Sequence, residues 1–483
     1  MAAKNISDMV CKQKRPVKVM QFGEGNFLRG FADEMIDVSN EKGITDMSIV
    51  IVKPRKGTLK EAFRQQDCDY TVSLRGLMNN EPTKRERIIT SVTETISCYD
   101  DYDKYMEYAV SDDLRFVISN TTEAGIVYDG TDTPDMKPQK SFPGKVTALL
   151  YARYKHFEGD RSKGLIFLPV ELIDNNADVL REIVLRHAAE WKLRDGFITW
   201  IKEACVFSNT LVDRIISGYS ADDEEELYKR KGYEDKLLVA GELFGLWVIA
   251  QDERITAELP LDKAEQPVLF VKDIKPYKTR KVRILNGAHT SFVLWAYLKG
   301  HDYVLEAMDD DEIREFVEGM LRDEVIDTID LDRDELNKFA DDVITRFRNP
   351  FIKHALSSIA LNSVSKWKTR CLPTLLDYFK MKGKLPDRLT KSLAALLLYY
   401  RGSVNAGGDY VGTRIKDGKI CEYKINDDPT IIDFLKDCSG LSDDEYIDRM
   451  LDAEKFFGMK LSDIEGLAAR VKEDYAMLAG LRD

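Results

Sequence analysis

Three polar residues at close spacing could handle the proton and the oxygen when an alcohol is oxidised or a ketone is reduced. They are Lys281, Asn286 and His289, in the segment KVRILNGAHTSF that begins at residue 281. A partly buried lysine loses proton affinity because desolvation disfavours its charged form, so it can act as a base in one direction and as an acid in the other. The asparagine can donate an N–H group to a developing alkoxide, and the histidine can hydrogen-bond a substrate hydroxyl. The alternative is a surface lysine, a helix-breaking Asn-Gly pair and an ordinary core histidine.

A helix would bring the three residues into one arc. With about 100° of rotation per residue, Asn286 lies about 140° and His289 about 80° around the helix from Lys281. Apolar residues such as Val282 and Ile284 alternate with them, as in a helix largely enclosed by protein. Polar groups on an enclosed helix cost free energy unless a partner or a ligand satisfies them. The segment therefore predicts an α-helix whose polar arc faces a partner or a substrate.

A glycine-rich turn near the amino terminus is typical of dinucleotide binding. In QFGEGNFLRG, Gly23 and Gly25 follow a short apolar strand and precede a helical pattern, but the third glycine of G-x-G-x-x-G is replaced by Leu28. The first glycine allows a tight turn, and the second lets the backbone approach a pyrophosphate. Asn26 offers a further N–H group, and Arg29 lies in the first turn of the helix, where its side chain could reach a phosphate. A plain strand–helix turn, which also favours glycine, is the alternative.

The second strand ends without the acid that usually holds the ribose of NAD. It ends IVKPRKG, with Lys53, Arg55 and Lys56. A basic end would favour the 2′-phosphate of NADP, unless these are solvated loop charges.

A later strand ends in SNTTEAG, at the carboxyl edge of the predicted sheet. Dinucleotides lie along that edge in such folds. We therefore expect Asn120, Thr121 and Thr122 to line the nicotinamide ribose.

The pattern of the chain changes near residue 275. Before it, short apolar strands alternate with turns and helices, which predicts a Rossmann-like α/β domain with a mostly parallel sheet over residues 1–274. After it, apolar residues recur at three- and four-residue intervals, which predicts a mainly α-helical domain over residues 275–483. GTRIKDGKICEYKI, from residue 412, is the one segment there that suggests a hairpin.

Composition argues against several classes of protein. The 483 residues carry 71 Lys and Arg against 84 Asp and Glu, a net charge of −13 that disfavours nucleic-acid and anionic-membrane binding. The 7 cysteines include no CxxC pair, which suits reduced thiols and disfavours a zinc site. The amino terminus lacks the apolar core of a signal peptide, and no segment approaches the roughly 18 apolar residues of a membrane helix. We expect a cytoplasmic protein without a metal; the oligomeric state stays open.

Several segments together resemble the polyol-specific long-chain dehydrogenases, the mannitol dehydrogenase family. They include QFGEGNFLRGF, SNTTEAGI, DIKPYKTRKVRILNGAHT and RFRNPFIKHALSSIALNSVSKWKTR, in order from about residue 17 to at least residue 402. The resemblance implies an oxidoreductase that uses NAD, although the basic end of the second strand leaves NADP open. It also implies that Lys281 is the general acid/base, that Asn286 helps to form the oxyanion site and that His289 contacts the substrate.

The resemblance assigns the glycine-rich turn as well. Gly23, Gly25, Phe27 and Arg29 match the family's G-x-G-x-F-x-R dinucleotide turn. The family's mannitol dehydrogenases carry a Cys-Asp-Asn segment, whose asparagine serves the oxyanion, where this chain has Val170, Glu171 and Leu172. A second oxyanion donor is therefore in doubt here, with Asn175 and Asn176 as nearby substitutes.

A sugar-acid substrate needs a cation for its carboxylate, ideally an arginine because of its planar fork. RFRNPFIKH and SKWKTR supply candidates: Arg346, Arg348, Lys353, His354, Lys366, Lys368 and Arg370. We choose Arg348, Lys353 and His354 as nearest the substrate; the alternative is that most of these charges are solvated. A basic pocket favours a sugar acid and a neutral pocket favours a polyol. From a different class, a non-catalytic dinucleotide-sensing module remains an alternative.

Overall fold

The computed structural model describes residues 4–122 and 124–482, which form two compact units. The first unit comprises the chain up to Arg75 together with Thr83–Ile274, and the second comprises Gly76–Pro82 together with Lys275–Asp483. Across the described residues, no helix has both the length and the apolar character to cross a membrane.

The strands before residue 275 belong to several sheets. They are β1 (Lys4–Asn5), β2 (Val17–Phe22), β3 (Ser48–Lys53), β4 (Tyr70–Met78), β5 (Glu81–Ile89), β6 (Val92–Ser97), β7 (Phe116–Ser119), β8 (Ile166–Pro169), β9 (Val206–Phe207), β10 (Thr210–Asp213), β11 (Ile216–Ser217), β12 (Tyr233–Glu234), β13 (Val239–Glu242), β14 (Leu246–Ala250) and β15 (Val268–Val271).

The largest sheet positions the glycine-rich turn. Its strand order is β6-β3-β2-β7-β8-β9, and all its neighbouring strands are parallel. This is the order of a doubly wound dinucleotide-binding sheet, in which the order reverses between the first and fourth strands, here β2 and β7. The predicted Rossmann-like parallel sheet is confirmed. Its switch point lies between the turn at Gly23 and the loop that starts at Asn120.

Helices cover both faces of this sheet, which explains why its strands read as continuous apolar runs. The helices before residue 275 are α1 (Asn26–Arg29), α2 (Ala32–Glu41), α3 (Glu61–Gln65), α4 (Tyr102–Glu107), α5 (Phe142–His156), α6 (Asn176–Glu190), α7 (Asp195–Ala204), α8 (Ala221–Lys231) and α9 (Glu253–Glu258). Ile49 and Ile51 face one core with Met35 of α2, whereas Val50 faces the other with Leu149 of α5.

Smaller sheets complete this part of the chain. One has the order β11-β13-β4-β5, another β10-β14-β15, and β1 pairs with β12.

The chain after residue 274 is mainly helical, as predicted. Its helices are α10 (Lys275–Arg280), α11 (Gly287–Leu298), α12 (Val304–Asp309), α13 (Asp311–Gly319), α14 (Arg333–Phe347), α15 (Leu356–Ile359), α16 (Ser363–Arg370), α17 (Leu372–Lys382), α18 (Asp387–Tyr400), α19 (Pro429–Asp437), α20 (Asp443–Leu451), α21 (Glu454–Phe457) and α22 (Leu467–Leu478). Two π-helical turns, Lys281–Asn286 and Met320–Val325, interrupt this series.

The predicted hairpin is present. β17 (Tyr410–Lys416) pairs antiparallel with β18 (Lys419–Lys424), and β16 (Ser403–Val404) joins them. The helix that carries His289, α11, lies among α13, α15, α16 and α18, and its residues are buried almost all around.

Candidate active site

The turn after β2 is held against the end of β7 at Gly23. The φ angle of Gly23 is 121°, a value that residues with a Cβ rarely adopt. Its N–H group donates to the carbonyl of Val52 over 3.0 Å, and a Cβ here would lie 2.9 Å from the carbonyl oxygen of Asn120. Only glycine fits without parting the strand ends, so the fold itself requires Gly23.

Gly25 immediately precedes α1, and its requirement is different. Its φ of −68° and ψ of 165° suit any residue, and a Cβ here would meet no described atom within 4 Å. The protein's own packing therefore does not demand a glycine, whereas a ligand that approaches the backbone closely does. Open space above the N–H groups of a helix start fits the pyrophosphate of a dinucleotide.

Two side chains of the turn, Phe27 and Arg29, stabilise it by packing into the first unit and by hydrogen bonds. Phe27 is half-buried and stacks on Phe31 with ring centroids 5.1 Å apart. Arg29 is completely buried: it donates to the carbonyl of Leu237 and, over 2.6 Å, to Oδ1 of Asn26. Burial lowers the pKa of Arg29, and the ring of Tyr70 lies 5.0 Å from its guanidinium carbon. The expectation that Arg29 reaches a phosphate is therefore wrong, because its guanidinium is committed to the interior and fixes Asn26.

A buried carboxyl group lies under the same turn. Asp33 accepts hydrogen bonds from the hydroxyl of Tyr70 (2.7 Å) and from Nε2 of Gln21 (3.5 Å), which also donates to the carbonyl of Gly23. Burial raises the pKa of Asp33 to about 7, although the Tyr70 hydroxyl, the Arg29 charge and the Gln21 amide act in the opposite direction. The turn thus rests on a carboxyl group that titrates near neutral pH.

The loop after β7 is held in a strained conformation. Thr122 has a φ of 80°, which is rare for a β-branched residue and costs about 1–3 kcal/mol. The neighbouring Thr121 donates from both its N–H group and its hydroxyl to Glu171, over 2.9 and 2.8 Å, and Ser119 donates to the same carboxylate. Burial raises the pKa of Glu171. Thr121 is therefore fixed beside Asn120 at the switch point, the place predicted for the nicotinamide ribose.

In the sequence, Glu171 stood out only because it replaces part of the Cys-Asp-Asn segment of mannitol dehydrogenases. In the structure it fixes Thr121. The two nearby asparagines differ in how far their amides are already used. Asn176 donates to the carbonyls of Pro169, Glu171 and Thr210, so its amide is used in holding the loop. Asn175 is exposed and adopts a left-handed conformation ahead of α6.

The basic end of β3 is partly neutralised. Lys53 forms an ion pair with Glu24, the residue between the two turn glycines. The ammonium group of Lys56 lies 5.7 Å from the ring centroid of Tyr99, and Arg55 is exposed. The charge of Lys53 is therefore already paired with a carboxylate within the protein. This fits the alternative that these basic residues do not bind a 2′-phosphate.

In the second unit, Lys281 to Asn286 form a π-helical turn, not the predicted α-helix. Hydrogen bonds in such a turn run from residue i to i+5, so the turn is wider than in an α-helix and is often found at functional sites. Residues five apart, Lys281 and Asn286, therefore come closer to one face than the about 140° of an α-helix allows. The amide of Asn286 is half-exposed and makes no hydrogen bond to another described residue.

The end of α16 lies against the glycine that follows Asn286. A Cβ at Gly287 would lie 3.4 Å from the carbonyl oxygen of Arg370, the last residue of α16. The thiol of Cys371 also contacts the Gly287 carbonyl, with Sγ and oxygen 3.7 Å apart. The Asn-Gly pair lies inside continuous helical structure and does not end it.

His289 lies in an apolar setting with one ring nitrogen available. It is 9% exposed, and its ring lies 4.2 Å from that of Phe347 and 5.2 Å from that of His354, measured between centroids. Within the described part of the chain, Nε2 has no hydrogen-bond partner. Burial, and then the charges of His354, Arg346, Arg370 and Lys366, hold the pKa of His289 well below its usual range. His289 is therefore a neutral imidazole that can hydrogen-bond a ligand.

Of the three residues chosen from the sequence for the substrate carboxylate, one lies beside His289. His354 contacts it, but Arg348 and Lys353 are exposed, and neither is among the leading charges that act on it. Arg370 is half-buried and donates to the hydroxyl of Thr290 over 3.3 Å. Arg346, Lys366 and Arg370 are also among the seven candidates from the sequence, and the charges of these three act on the imidazole.

Side chains suited to metal binding are not grouped in the described residues, where no cluster of three or more His, Cys, Asp or Glu is arranged to hold an ion. The polar groups instead comprise an amine, an amide, two imidazoles and several cations. This set can move a proton at a hydroxyl group, donate to an oxyanion and attract an anion.

Family models match both parts of the chain. The Mannitol dehydrogenase Rossmann domain matches residues 17–263, and the Mannitol dehydrogenase C-terminal domain matches residues 273–479. The chain belongs to the mannitol dehydrogenase family. The resemblance read from the sequence motifs is confirmed.

Similar proteins include two that are named altronate oxidoreductase. Altronate oxidoreductase of Bacillus subtilis (strain 168) is 42% identical over 459 residues, which cover 94% of this chain and 91% of the relative. Altronate oxidoreductase of Escherichia coli (strain SE11) is 49% identical over 391 residues, 81% of each chain.

Two solved structures share the fold. D-sorbitol dehydrogenase in substrate-free form has a TM-score of 0.76 at 21% identity and covers 96% of this chain and 93% of its own. The Pseudomonas fluorescens mannitol 2-dehydrogenase ternary complex with NAD and D-mannitol has a TM-score of 0.66 at 22% identity and covers 99% and 93%.

The two turn glycines of this mannitol dehydrogenase family member predict opposite mutational effects. Gly23→Ala should destabilise the protein by about 1–3 kcal/mol, because it forces a rare φ and a contact with Asn120. Gly25→Ala should change stability by less than about 0.5 kcal/mol but weaken NADH binding about tenfold or more, because only the ligand needs that space. Thermal unfolding and NADH fluorescence titration measure the two effects. A destabilised Gly25→Ala, or one that binds NADH normally, would contradict this assignment.

Asp33 predicts a pH dependence of stability. Since folding raises its pKa to about 7, the folded state holds a proton that the unfolded state releases near pH 4. Its contribution is therefore complete below pH about 4 and falls, by up to about 4 kcal/mol, as the pH rises to about 7. Asp33→Asn, which keeps the acceptor for Tyr70 but cannot ionise, should gain stability relative to the wild type across that range. Unfolding midpoints of both proteins between pH 4 and 8 test this, and a constant difference would refute it.

Proposed function

We propose that the protein is an NAD-dependent altronate oxidoreductase, which interconverts D-altronate and D-tagaturonate in the catabolism of galacturonate. Support comes from relatives of that name at 42% and 49% identity and from the family membership. The observation that carries the proposal is the polar group around α11. An open amide on Asn286 and an open Nε2 on His289 lie at one end of a buried helix, among cations that suit a sugar acid.

NAD would bind at the switch point of the parallel sheet. Gly23, Gly25, Asn26 and Phe27 form the turn for its pyrophosphate, with Arg29 holding Asn26 from below. Asn120, Thr121 and Thr122 are proposed for the nicotinamide ribose. When bound, NAD accepts the hydride from the alcohol carbon, or NADH returns it to the ketone. The Glu24–Lys53 ion pair supports NAD over NADP, because a carboxylate beside the end of β3 disfavours a 2′-phosphate.

Lys281 is proposed as the general acid/base. In the oxidation of altronate its amine takes the proton of the substrate hydroxyl, and in the reduction of tagaturonate its ammonium group returns it. Asn286 donates an N–H group to the oxygen on which negative charge develops. His289, neutral at physiological pH, hydrogen-bonds the substrate through Nε2 and so orients it. No step in this scheme uses a metal ion.

The substrate carboxylate would lie on the basic side of His289. His354 contacts that imidazole, and the exposed Arg348 and Lys353 are proposed as cations that attract the acid from solution. We place the enzyme in the cytoplasm, in keeping with its cysteines, all of which are free thiols.

Oxidation of D-altronate with NAD, followed as NADH absorbance, tests the proposal directly. Lys281→Ala should lower the turnover number about 10²–10⁴-fold, because the hydroxyl proton then has no acceptor. NADH affinity should stay unchanged, since the lysine is proposed to act on the substrate. The matched control is Lys380→Ala, which removes an exposed lysine of α17.

Other outcomes would change the proposal in defined ways. Wild-type turnover in Lys281→Ala would refute the acid/base role. Faster reaction with fructuronate or D-mannitol than with the altronate pair would make the protein a fructuronate reductase or a mannitol 2-dehydrogenase. Tight NADH binding without turnover of any of these compounds would favour a dinucleotide-sensing module.

A further inference from the structure

Arg370 is fixed beside the π-helical turn by a relay of two hydrogen bonds. Its Nη1 donates to Oγ1 of Thr290 over 3.3 Å, and that hydroxyl donates to the carbonyl of Asn286 over 2.9 Å. The backbones also lie close together, since a Cβ at Gly287 would be in van der Waals contact with the Arg370 carbonyl oxygen, at 3.4 Å. The guanidinium is thereby tethered to the residue that follows His289, one helical turn after Asn286.

This guanidinium has few partners for a group withdrawn from water. It is half-buried, and burial lowers its pKa. A guanidinium carries five N–H donors, yet within residues 4–122 and 124–482 Arg370 makes only the Thr290 hydrogen bond and no ion pair. The neighbouring Lys366 donates to the carbonyl of Ile359, and its pKa is lowered by burial and then by the charge of Arg370. Two desolvated cations therefore repel each other at this place.

Two other arginines of the same unit make more hydrogen bonds within the protein than Arg370 does. Arg283 donates to the carbonyl and hydroxyl of Thr328 and to the carboxylate of Asp377. Arg414 donates to two backbone carbonyls and to the carboxylate of Asp302. Each guanidinium therefore donates to three acceptors, one of which is a carboxylate oxygen. Arg370 lacks that carboxylate, although the chain has 84 acidic residues and a net charge of −13.

An independent observation indicates that a ligand belongs here. His289, one residue before Thr290, is nine-tenths buried, and its Nε2 has no hydrogen-bond partner in the described residues. The charge of Arg370 acts on this same imidazole. A bound hydroxy acid would satisfy both groups at once, with a hydroxyl on the imidazole and a carboxylate on the guanidinium.

We infer that Arg370 binds the carboxylate of the substrate and selects sugar acids over neutral sugars. The inference rests on the proposed function, and it assigns the anion-binding part of that site to the last residue of α16. The planar fork of arginine can hold a carboxylate through two parallel hydrogen bonds, whereas a lysine offers a single point charge. Arg348 and Lys353 then act at longer range, because both are exposed.

The test compares three variants on two substrates. Arg370→Met removes the fork, Arg370→Lys keeps the charge, and Lys368→Met removes a cation from the same helix on another face. NADH-dependent reduction is measured with D-tagaturonate and with D-tagatose, which lacks the carboxylate. Thermal unfolding and NADH affinity establish that each variant is folded, and Arg370→Gln replaces the methionine variant if that one does not fold.

The inference predicts a split between the two substrates. Arg370→Met should raise the KM for tagaturonate about 100-fold, the cost of removing one partner of a buried charge pair, and change the KM for tagatose by less than about threefold. Arg370→Lys should recover part of the loss, and Lys368→Met should stay within about twofold of the wild type. Arg348→Ala should have a smaller effect than Arg370→Met. An equal change for both substrates, or no change for tagaturonate, would overturn the role of Arg370.

Binding measurements separate this inference from the proposed function. Calorimetric titration with D-altronate and with its neutral alditol does not depend on turnover. A wild type that binds altronate, does not oxidise it and loses binding in Arg370→Met would refute the enzyme assignment and support the carboxylate site. A wild type that binds neither altronate nor tagaturonate would overturn both.

Discussion

The chemistry of the second unit depends on positive charges that the fold brings together around the imidazole of His289. Arg370 and Lys366 are partly withdrawn from water, and their charges, with that of Arg346, act on the imidazole of His289. Keeping such groups together costs free energy, which a bound anion recovers. Two consequences follow from the same charges. They add to the larger effect of burial in keeping the imidazole neutral, so that it can exchange hydrogen bonds with a hydroxyl group. They also make the site favour a ligand with a carboxylate over one without.

The helical geometry around that charge is equally specific. A π-helical turn widens the backbone between Lys281 and Asn286, and the end of α16 lies against Gly287, the first residue of α11. A regular α-helix would place the amine and the amide about 140° apart. The wider turn brings residues five apart, such as Lys281 and Asn286, closer to one face than a regular α-helix does.

In the first unit, one close approach of backbones organises the dinucleotide turn. Gly23 touches the end of β7, and the loop beyond carries a strained Thr122 beside Thr121, which Glu171 fixes. Below the turn, Arg29, Asp33 and Tyr70 form a buried polar network. Such a network makes the turn rigid before any ligand arrives, which reduces the entropy lost on binding.

Sequence reasoning found the family, the two kinds of architecture and the glycine-rich turn, because each depends on local spacing or a continuous motif. It failed where long-range packing decides. The motif predicted that Arg29 reaches a phosphate, but its guanidinium donates to the carbonyl of Leu237, 208 positions away. Apolar periodicity predicted an α-helix at Lys281, since it does not distinguish a π-helical turn from an α-helical one. The position of Arg370 could not be predicted from the sequence either, because its partner, Thr290, lies 80 positions away along the chain.

The central claim is that the charge around His289 selects an anionic substrate. The most direct measurement is the ratio of kcat/KM for D-tagaturonate to that for D-tagatose in the wild-type protein with NADH, at low and at high salt. The account predicts a ratio of at least about 10³, because a site built to bind a group rejects analogues that lack it. Added salt should lower that ratio by screening the carboxylate. Comparable kcat/KM values for the two sugars at either salt concentration would contradict the account.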